Sequence, residues 1–246
     1  MKEPDRPSGG FWHSVRSGKF HSALAFMRGP QTPQQLAFIR SLMKDNRRPE
    51  ILGIPLNELE VVVFDLETTG FHYQQGDGIL SFGAVRVIGE QVIEHETFYT
   101  IVNSGVLVPP FIAELTGITQ PMVEAAPSLL EGLHNFMAFA GGRVLVAHAA
   151  AHDRGFLNAA LWKTSKVRLT HRLLDTMMLA KRLYPEQADY SLDELLRSRD
   201  IPVEGRHHAL SDACMTARLW TDYMKTIRTL GHAETLGDIY VYLSEG

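Results

Sequence analysis

Alternating blocks of apolar and polar residues predict where strands and helices form along the chain. A continuous, valine-rich apolar run predicts a central, buried strand at 58–64. Further strands are expected at 78–88, 91–102 and 143–147. Apolar residues at helical spacing predict helices at 11–29, 32–46, 109–116, 128–140, 153–163, 175–184, 191–198 and 209–228. Three strands followed by alternating helices and strands indicate an α/β fold, with a mixed sheet flanked by helices.

Turn and capping residues support several of these boundaries. Gly89 and Glu90 form a tight turn, so the second and third strands are expected to pair antiparallel. Ser128 and Glu131 have the spacing of a capping box at the start of a helix. We therefore divide the chain into an N-terminal helical extension with its linker at 1–56, a main domain at 57–228, and a short tail at 229–246.

Composition places the chain among globular proteins of ordinary core size. It has 246 residues, of which 45% are hydrophobic and 21% charged, enough for one well-cored domain. No apolar run approaches the ~20 residues of a membrane span, and the N-terminus lacks the apolar core of a signal peptide. Cys214 is the only cysteine, so no intrachain disulfide can form. We expect a cytoplasmic location.

Charge is distributed unevenly, although the formal net charge is only −4. Residues 1–50 carry +5, and the remainder of the chain carries −9. A basic N-terminal segment on an acidic body is suited to contact phosphates. Docking of this segment on the acidic body is an equal alternative.

Two carboxylates at the end of the first strand are the first candidate for chemistry. Asp65 and Glu67 are two residues apart, so on a strand they point to the same face. Two such carboxylates repel each other unless a cation lies between them, and hard divalent metals prefer oxygen ligands. The alternative is a strand end with two solvated acids beside the turn at Gly70.

Two further acids begin helices later in the chain. Asp153 lies in the first turn of a predicted helix, where the helix dipole alone favours an acid. Asp212 lies beside the apolar stripe of the helix at 209–228, where a lone acid would need a partner. That partner could simply be His208, four residues earlier on the same helix.

Three short motifs contain these residues in order. They are Asp-x-Glu-Thr-Thr-Gly at 65–70, His-x4-Asp-x-x-Phe-Leu at 148–157 and His-x4-Asp-Ala at 207–213. Together they resemble the DEDDh branch of the DnaQ-like 3′→5′ exonucleases, and among them the exonuclease domain of the DNA polymerase III epsilon subunit. The resemblance spans 58–223 and implies a ribonuclease H-like fold with a mixed five-stranded sheet.

The resemblance also assigns roles. Asp65, Glu67, Asp153 and Asp212 would bind two Mg²⁺ ions, with Mn²⁺ as a substitute, and these hard oxygen ligands suit both metals. Two metals stabilise the entering and leaving oxygens of an in-line phosphoryl displacement. His207 would be the general base that takes a proton from the attacking water.

Two neighbouring histidines make the assignment of the base less direct. On a continuous helix His208, and not His207, would share a face with Asp212. Family spacing selects His207, and this requires His207 to lie in a loop just before the helix. Gly205 is consistent with such a loop.

The segment after the first carboxylates is expected to hold the substrate. Thr68, Thr69 and Phe71 would lie near the terminal nucleotide, where an aromatic ring can stack on a base. The chain departs from the family pattern at Ala149, often Asn, and at His152, commonly aromatic. Neither position binds metal in the family, so these departures bear on substrate preference.

The resemblance implies hydrolysis of single-stranded or frayed 3′ ends of DNA, in proofreading or repair. A DNA polymerase or sliding clamp could bind through the N-terminal helices. Two alternatives remain open: an RNA-directed 3′→5′ exoribonuclease, and a non-catalytic, polymerase-accessory module that binds nucleic acid on the same fold.

Overall fold

A computed structural model describes residues 33–45 and 49–245. Its centre is a mixed five-stranded sheet with strand order β3-β2-β1-β4-β5. The strands are β1 (Glu60–Thr68), β2 (Ile79–Ile88), β3 (Gln91–Ile101), β4 (Val144–Ala147) and β5 (Leu173–Asp175). The antiparallel pairing of β2 with β3 across the turn at Gly89 is confirmed. The mixed, five-stranded α/β architecture predicted from the sequence is confirmed as well.

Strand β1 lies in the middle of the sheet and is paired on both sides. It runs antiparallel to β2, and parallel to β4, which in turn runs parallel to β5. Its apolar residues are almost completely buried, as a strand covered on both faces requires. The predicted end at Phe64 is wrong, because Asp65 and Glu67 still pair with Gly83 and Ser81 of β2.

Nine helices surround the sheet in the described ranges. They are α1 (Pro33–Asp45), α2 (Pro110–Thr116), α3 (Gln120–Glu124), α4 (Leu129–Ala140), α5 (Ala151–Ser165), α6 (Thr176–Leu183), α7 (Leu192–Arg197), α8 (Ala209–Thr229) and α9 (Leu236–Ser244). A 3₁₀ helix, Pro49–Gly53, occupies part of the predicted linker. The helix predicted at 11–29 lies outside the described residues. None of the described helices is both long and apolar enough to cross a membrane.

The alternation of side chains along β1 divides the core into two layers. Val61 and Val63 belong to a cluster with α6, α7, α8 and α9, whereas Val62 and Phe64 belong to a cluster with α1, α4 and α5. Asp65 and Glu67 continue the Val61–Val63 side, so they face α8. Residues on both sides of the predicted 57–228 boundaries contribute to these clusters, among them Ile39 and Leu236.

Close packing between β2 and α8 depends on a glycine. A Cβ atom on Gly83 would lie 2.1 Å from the carbonyl carbon of Ala209, the first residue of α8. No side chain fits at that separation, so only glycine allows the helix to begin against the sheet. Because Gly83 is the cross-strand partner of Asp65, this contact brings the first turn of α8 to the end of β1 that carries the acids.

Candidate active site

Three carboxylates meet where β1 and the first turn of α8 come together. Side-chain oxygens of Asp65, Glu67 and Asp212 all lie within 4.8 Å of one another. Glu67 and Asp212 are buried, and Asp65 is half-buried. Three hard oxygen ligands at this spacing can hold a divalent cation. The structure therefore brings together the two acids of the first motif and the acid of the third.

Asp153 borders this cluster from the opposite layer of the core. It lies in the first turn of α5, is buried, and its charge contributes to raising the pKa of Asp65. Burial raises the pKa of Asp153 itself to about 8, with further contributions from Asp175 and Glu67. Backbone N–H groups, including that of Leu66, partly offset this increase. All four predicted acids thus influence one another at the end of the central strand.

The neighbouring acids raise one another's pKa values, which indicates that the site is suited to a cation. Burial, followed by the charges of Asp153, Asp212 and Glu67, raises the pKa of Asp65 well above its ordinary value. Burial and the charge of Asp212 raise the pKa of Glu67 to about 8. Carboxylates in this environment ionise only when positive charge is supplied. The chemistry of the donor set fits divalent metal ions, with Asp65, Glu67, Asp153 and Asp212 as ligands.

One protein cation already reaches the cluster. The Arg206 guanidinium forms an ion pair with Asp212 at 2.5 Å through Nη1, and a second with Asp193 at 2.6 Å through Nε. Its charge lowers the pKa of Asp65, Glu67 and Asp212 against the larger effect of burial. Arg206 was not among the site residues predicted from the sequence. The only signal was a basic residue directly before the histidine pair.

His207 and His208 lie in different surroundings. His207 is in the loop before α8, as the family spacing requires, with a positive φ of 60°. Its backbone N–H donates a hydrogen bond to Asp212 Oδ2 at 3.1 Å. The His208 ring instead stacks on Tyr99, with centroids 4.5 Å apart, and burial lowers its pKa. The continuous-helix geometry that would favour His208 does not apply, because α8 begins only at Ala209.

The turn after β1 contains the residues expected to hold the substrate. The Thr68 hydroxyl donates to the Gly70 carbonyl at 2.7 Å. Thr69 is buried, and its hydroxyl donates to Asp77 and accepts from the Gly78 N–H, each at 3.0 Å. The Thr69 side chain therefore shapes the turn and leaves little surface for a ligand. Phe71 is 74% exposed.

The start of α5 is held by two residues near the second motif. Asp175 caps α6 by accepting from the Met177 N–H, and it also accepts from the N–H groups of Ala149 and Ala150 at 3.0 and 2.9 Å. The half-buried His148 ring contacts Tyr190 O and Thr176 Oγ1. These contacts fix the turn from which Asp153 projects. Ala149 has a φ of 53°, a conformation that Asn adopts more readily than Ala.

Comparison with known proteins agrees with the fold and the site. The sequence pattern of the RNase_T exonuclease family matches residues 62–220. The DNA polymerase III subunit epsilon of Aquifex aeolicus (strain VF5) is 33% identical over 179 residues, 73% of this chain and 86% of that protein. The PolC-type DNA polymerase III of Caldanaerobacter subterraneus subsp. tengcongensis is 37% identical over 176 residues. That match covers 71% of this chain and 12% of the polymerase.

A solved structure shows a similar fold. Exonuclease X in complex with 5′ overhanging duplex DNA superposes with a TM-score of 0.57 and 27% identity, over 74% of this chain and 98% of that chain. The ribonuclease H-like exonuclease fold is therefore confirmed. The chain belongs to the RNase_T exonuclease family, whose DEDDh members it was expected to resemble.

Proposed function

We propose that this protein is a metal-dependent 3′→5′ exonuclease that removes nucleotides from the 3′ ends of DNA in proofreading or repair. The observation that carries the proposal is the convergence of Asp65, Glu67 and Asp212 within 4.8 Å, bordered by Asp153. Family membership and the epsilon-subunit relative support it. A non-catalytic module would have no need of four acids that destabilise one another.

Magnesium is the proposed ion, with manganese as a substitute, because all the candidate ligands are hard oxygens. Two ions at such a site stabilise charge on the attacking and leaving oxygens of a phosphoryl transfer. The protein's own contribution is to hold four carboxylates in place before the ions arrive. β1 fixes Asp65 and Glu67, α5 fixes Asp153, and α8 fixes Asp212.

His207 is the proposed general base. Its backbone hydrogen bond to Asp212 places the residue directly beside the carboxylates, and its side chain is only half-buried. In the neutral form, the imidazole would accept a proton from water that attacks the terminal phosphodiester. His208 is less suited to this role because its ring is stacked on Tyr99.

The 3′-terminal nucleotide is proposed to lie against the turn that follows β1. Phe71 is the large exposed aromatic side chain of this turn and offers a face on which a base can stack. The Phe71 ring contacts the His152 ring edge-on, with centroids 5.8 Å apart, and this contact helps to hold the Phe71 ring in position. Thr68 and the backbone around buried Thr69 would line the rest of this seat.

We propose a partner and a location by analogy with the relatives. Two of them are DNA polymerase III proteins, so a DNA polymerase or its clamp is the proposed partner, with the N-terminal extension at 1–56 as the proposed contact. The main domain is proposed to span 57–228. A cytoplasmic location is proposed by analogy with bacterial polymerase III subunits.

Digestion of matched DNA and RNA oligonucleotides tests the proposal. Substrates carry a 5′ label and a free or blocked 3′ end, and are incubated with Mg²⁺, Mn²⁺ or EDTA. We expect metal-dependent, stepwise shortening of DNA that has a free 3′ end, and none by Asp65→Asn. Faster digestion of RNA would assign the protein to exoribonucleases. Binding without turnover, unchanged in Asp65→Asn, would instead indicate an accessory module.

A further inference from the structure

A groove of about 540 Å³ runs along the outer face of α5, next to the candidate active site. Its lining combines aromatic, cationic and small residues: Tyr73, Ala151, Arg154, Gly155, Asn158, Ala159, Trp162 and Arg168. None of these residues has a role in the proposed chemistry. The combination of arginine and exposed aromatic rings is typical of surfaces that bind single-stranded nucleic acid.

Helical spacing explains how this face forms a groove. Arg154, Asn158 and Trp162 are four residues apart, so they follow one another along one side of α5 over about 12 Å. Small residues beside them form the floor. At Gly155, a Cβ atom would lie 2.3 Å from the Tyr73 ring, so glycine is needed for Tyr73 to close one wall.

Charge in the groove is positive, unlike that of the chain as a whole. Arg154 and Arg168 are exposed, and neither makes an ion pair with a carboxylate of the described residues. Lys166 adds a third cation, 5.8 Å from the centroid of the Trp162 ring. Trp162 itself is 53% exposed. Exposed cations beside an exposed indole match the phosphates and bases of a nucleic acid strand.

The groove lies close to the proposed seat of the 3′ end. Ring contacts lead from Phe71 to His152 at 5.8 Å, from His152 to Phe156 at 4.8 Å, and from Phe156 to Tyr73 at 5.6 Å. Arg154 directly follows Asp153 in the same helical turn. Because Phe156 is buried, these contacts pack the turn against α5 beneath the surface. Tyr73 is two residues after Phe71 and lines the groove, so a strand whose last nucleotide lies at Phe71 has the groove next to it.

We propose that this groove binds the single-stranded segment that lies 5′ to the nucleotide being removed. Bases stack on Trp162 and Tyr73, while Arg154 and Arg168 contact phosphates. The proposal rests on the exonuclease function and deepens it, because it makes the length of the strand a determinant of affinity. A substrate of one nucleotide occupies only the site at Phe71.

Two substrates of different length test this assignment. One is a single-stranded DNA of about 20 nucleotides, and the other is the p-nitrophenyl ester of thymidine 5′-monophosphate, which cannot reach the groove. We expect Trp162→Ala and the double variant Arg154→Gln/Arg168→Gln each to raise KM for the long strand about tenfold. Hydrolysis of the ester should stay unchanged in these variants. Trp162→Phe, which keeps an aromatic ring, should have a KM for the long strand close to that of the wild type.

Salt dependence separates phosphate contacts from general charge effects. Binding of the labelled strand is followed by fluorescence anisotropy in EDTA at several salt concentrations. Removing both arginines should reduce the slope of log K against log salt by about 1.4, since each phosphate contact on a single strand contributes about 0.7. Lys225→Gln is the matched control, because it removes an exposed charge about 20 Å away from Asp212 along α8.

The proposal is overturned if the groove variants bind and digest the long strand as the wild type does. It is also overturned if the variants lose activity on the ester and on the long strand equally, because the groove would then only support the fold. Failure of the exonuclease function gives a different result, in which the wild type itself hydrolyses neither substrate.

Discussion

Gly83 of β2 is the cross-strand partner of Asp65 on β1, and it lies directly against the backbone of Ala209 at the start of α8. The contact leaves no room for even one carbon atom between strand and helix. Asp212 is one turn further along that helix, and its carboxylate lies within 4.8 Å of those of Asp65 and Glu67. The geometry of the acidic cluster thus depends on a residue that has no side chain.

Substitution of Gly83 tests this dependence. We expect Gly83→Ala to displace the start of α8, to destabilise the fold by about 1–3 kcal/mol, and to weaken metal binding. Thermal unfolding with and without Mg²⁺ measures both effects. Gly53→Ala is the matched control, because a Cβ atom there meets nothing within 4 Å. Metal binding by Gly83→Ala equal to that of the wild type would refute the role of this contact.

Local sequence pattern predicted the parts of the fold that local physics determines. The buried strand around Val62 and the helix at α8 follow from apolar periodicity, and the capping role of Ser128 follows from its spacing to Glu131. The end of β1 was placed too early, because Asp65 and Glu67 are unusual residues for a buried strand and only their pairing with β2 keeps them there.

Features that depend on distant parts of the chain were not predictable in the same way. Strand β5 has only three residues and exists because it pairs with β4, so no periodicity could locate it. Arg206 reaches Asp193 and Asp212 from a loop, and no spacing rule describes that contact. The aromatic path from Phe71 to Tyr73 likewise joins a turn to the side of α5. The acids themselves could be identified because their motifs are short and local.

Stability without metal should fall as pH rises, from about pH 4 to pH 8. Glu67 and Asp153 have pKa values raised to about 8, so between these limits the folded state binds more protons than the unfolded state. The free energy of unfolding then decreases by up to about 1.4 kcal/mol per pH unit for each extra proton bound. Thermal unfolding in EDTA across this range measures the slope.

Two comparisons identify the acidic cluster as the cause of this slope. Saturating Mg²⁺ should flatten it, because the cation stabilises the ionised carboxylates that lack compensation in EDTA. Asp65→Asn should raise stability in EDTA at pH 8 while abolishing activity, since a neutral amide needs neither a bound proton nor a compensating cation in this buried cluster. If the pH dependence of stability were as steep with Mg²⁺, and in Asp65→Asn, as in the wild type in EDTA, it would originate elsewhere in the protein.

Arg206 should matter most when no metal is bound. Its guanidinium spans Asp193 and Asp212 through two different nitrogens, which a lysine ammonium cannot do. We expect Arg206→Lys to lower stability in EDTA by about 1–3 kcal/mol, and by less with saturating Mg²⁺, because the metal then compensates Asp212. Thermal unfolding in both conditions measures the difference.

Arg197→Lys provides a matched control for that measurement. Arg197 pairs with Glu194 at 2.5 Å, but both side chains are well exposed, so the expected cost is below about 1 kcal/mol in either condition. If Arg206→Lys lost the same stability with and without Mg²⁺, Arg206 would be a structural residue that metal binding does not affect.

Replacement of each histidine separates the base from its neighbour. His207→Asn should lower kcat by about 10²–10⁴-fold, because the proton acceptor is lost. Asparagine tolerates the positive φ of this position and keeps the backbone N–H that bonds Asp212, so the Mg²⁺ concentration for half-maximal activity should not change. His208→Gln should retain kcat within about threefold, since its ring stacks on Tyr99 and contacts the Ser211 hydroxyl. Single-turnover digestion of a labelled oligonucleotide measures both variants, and the reverse pattern would assign the base to His208.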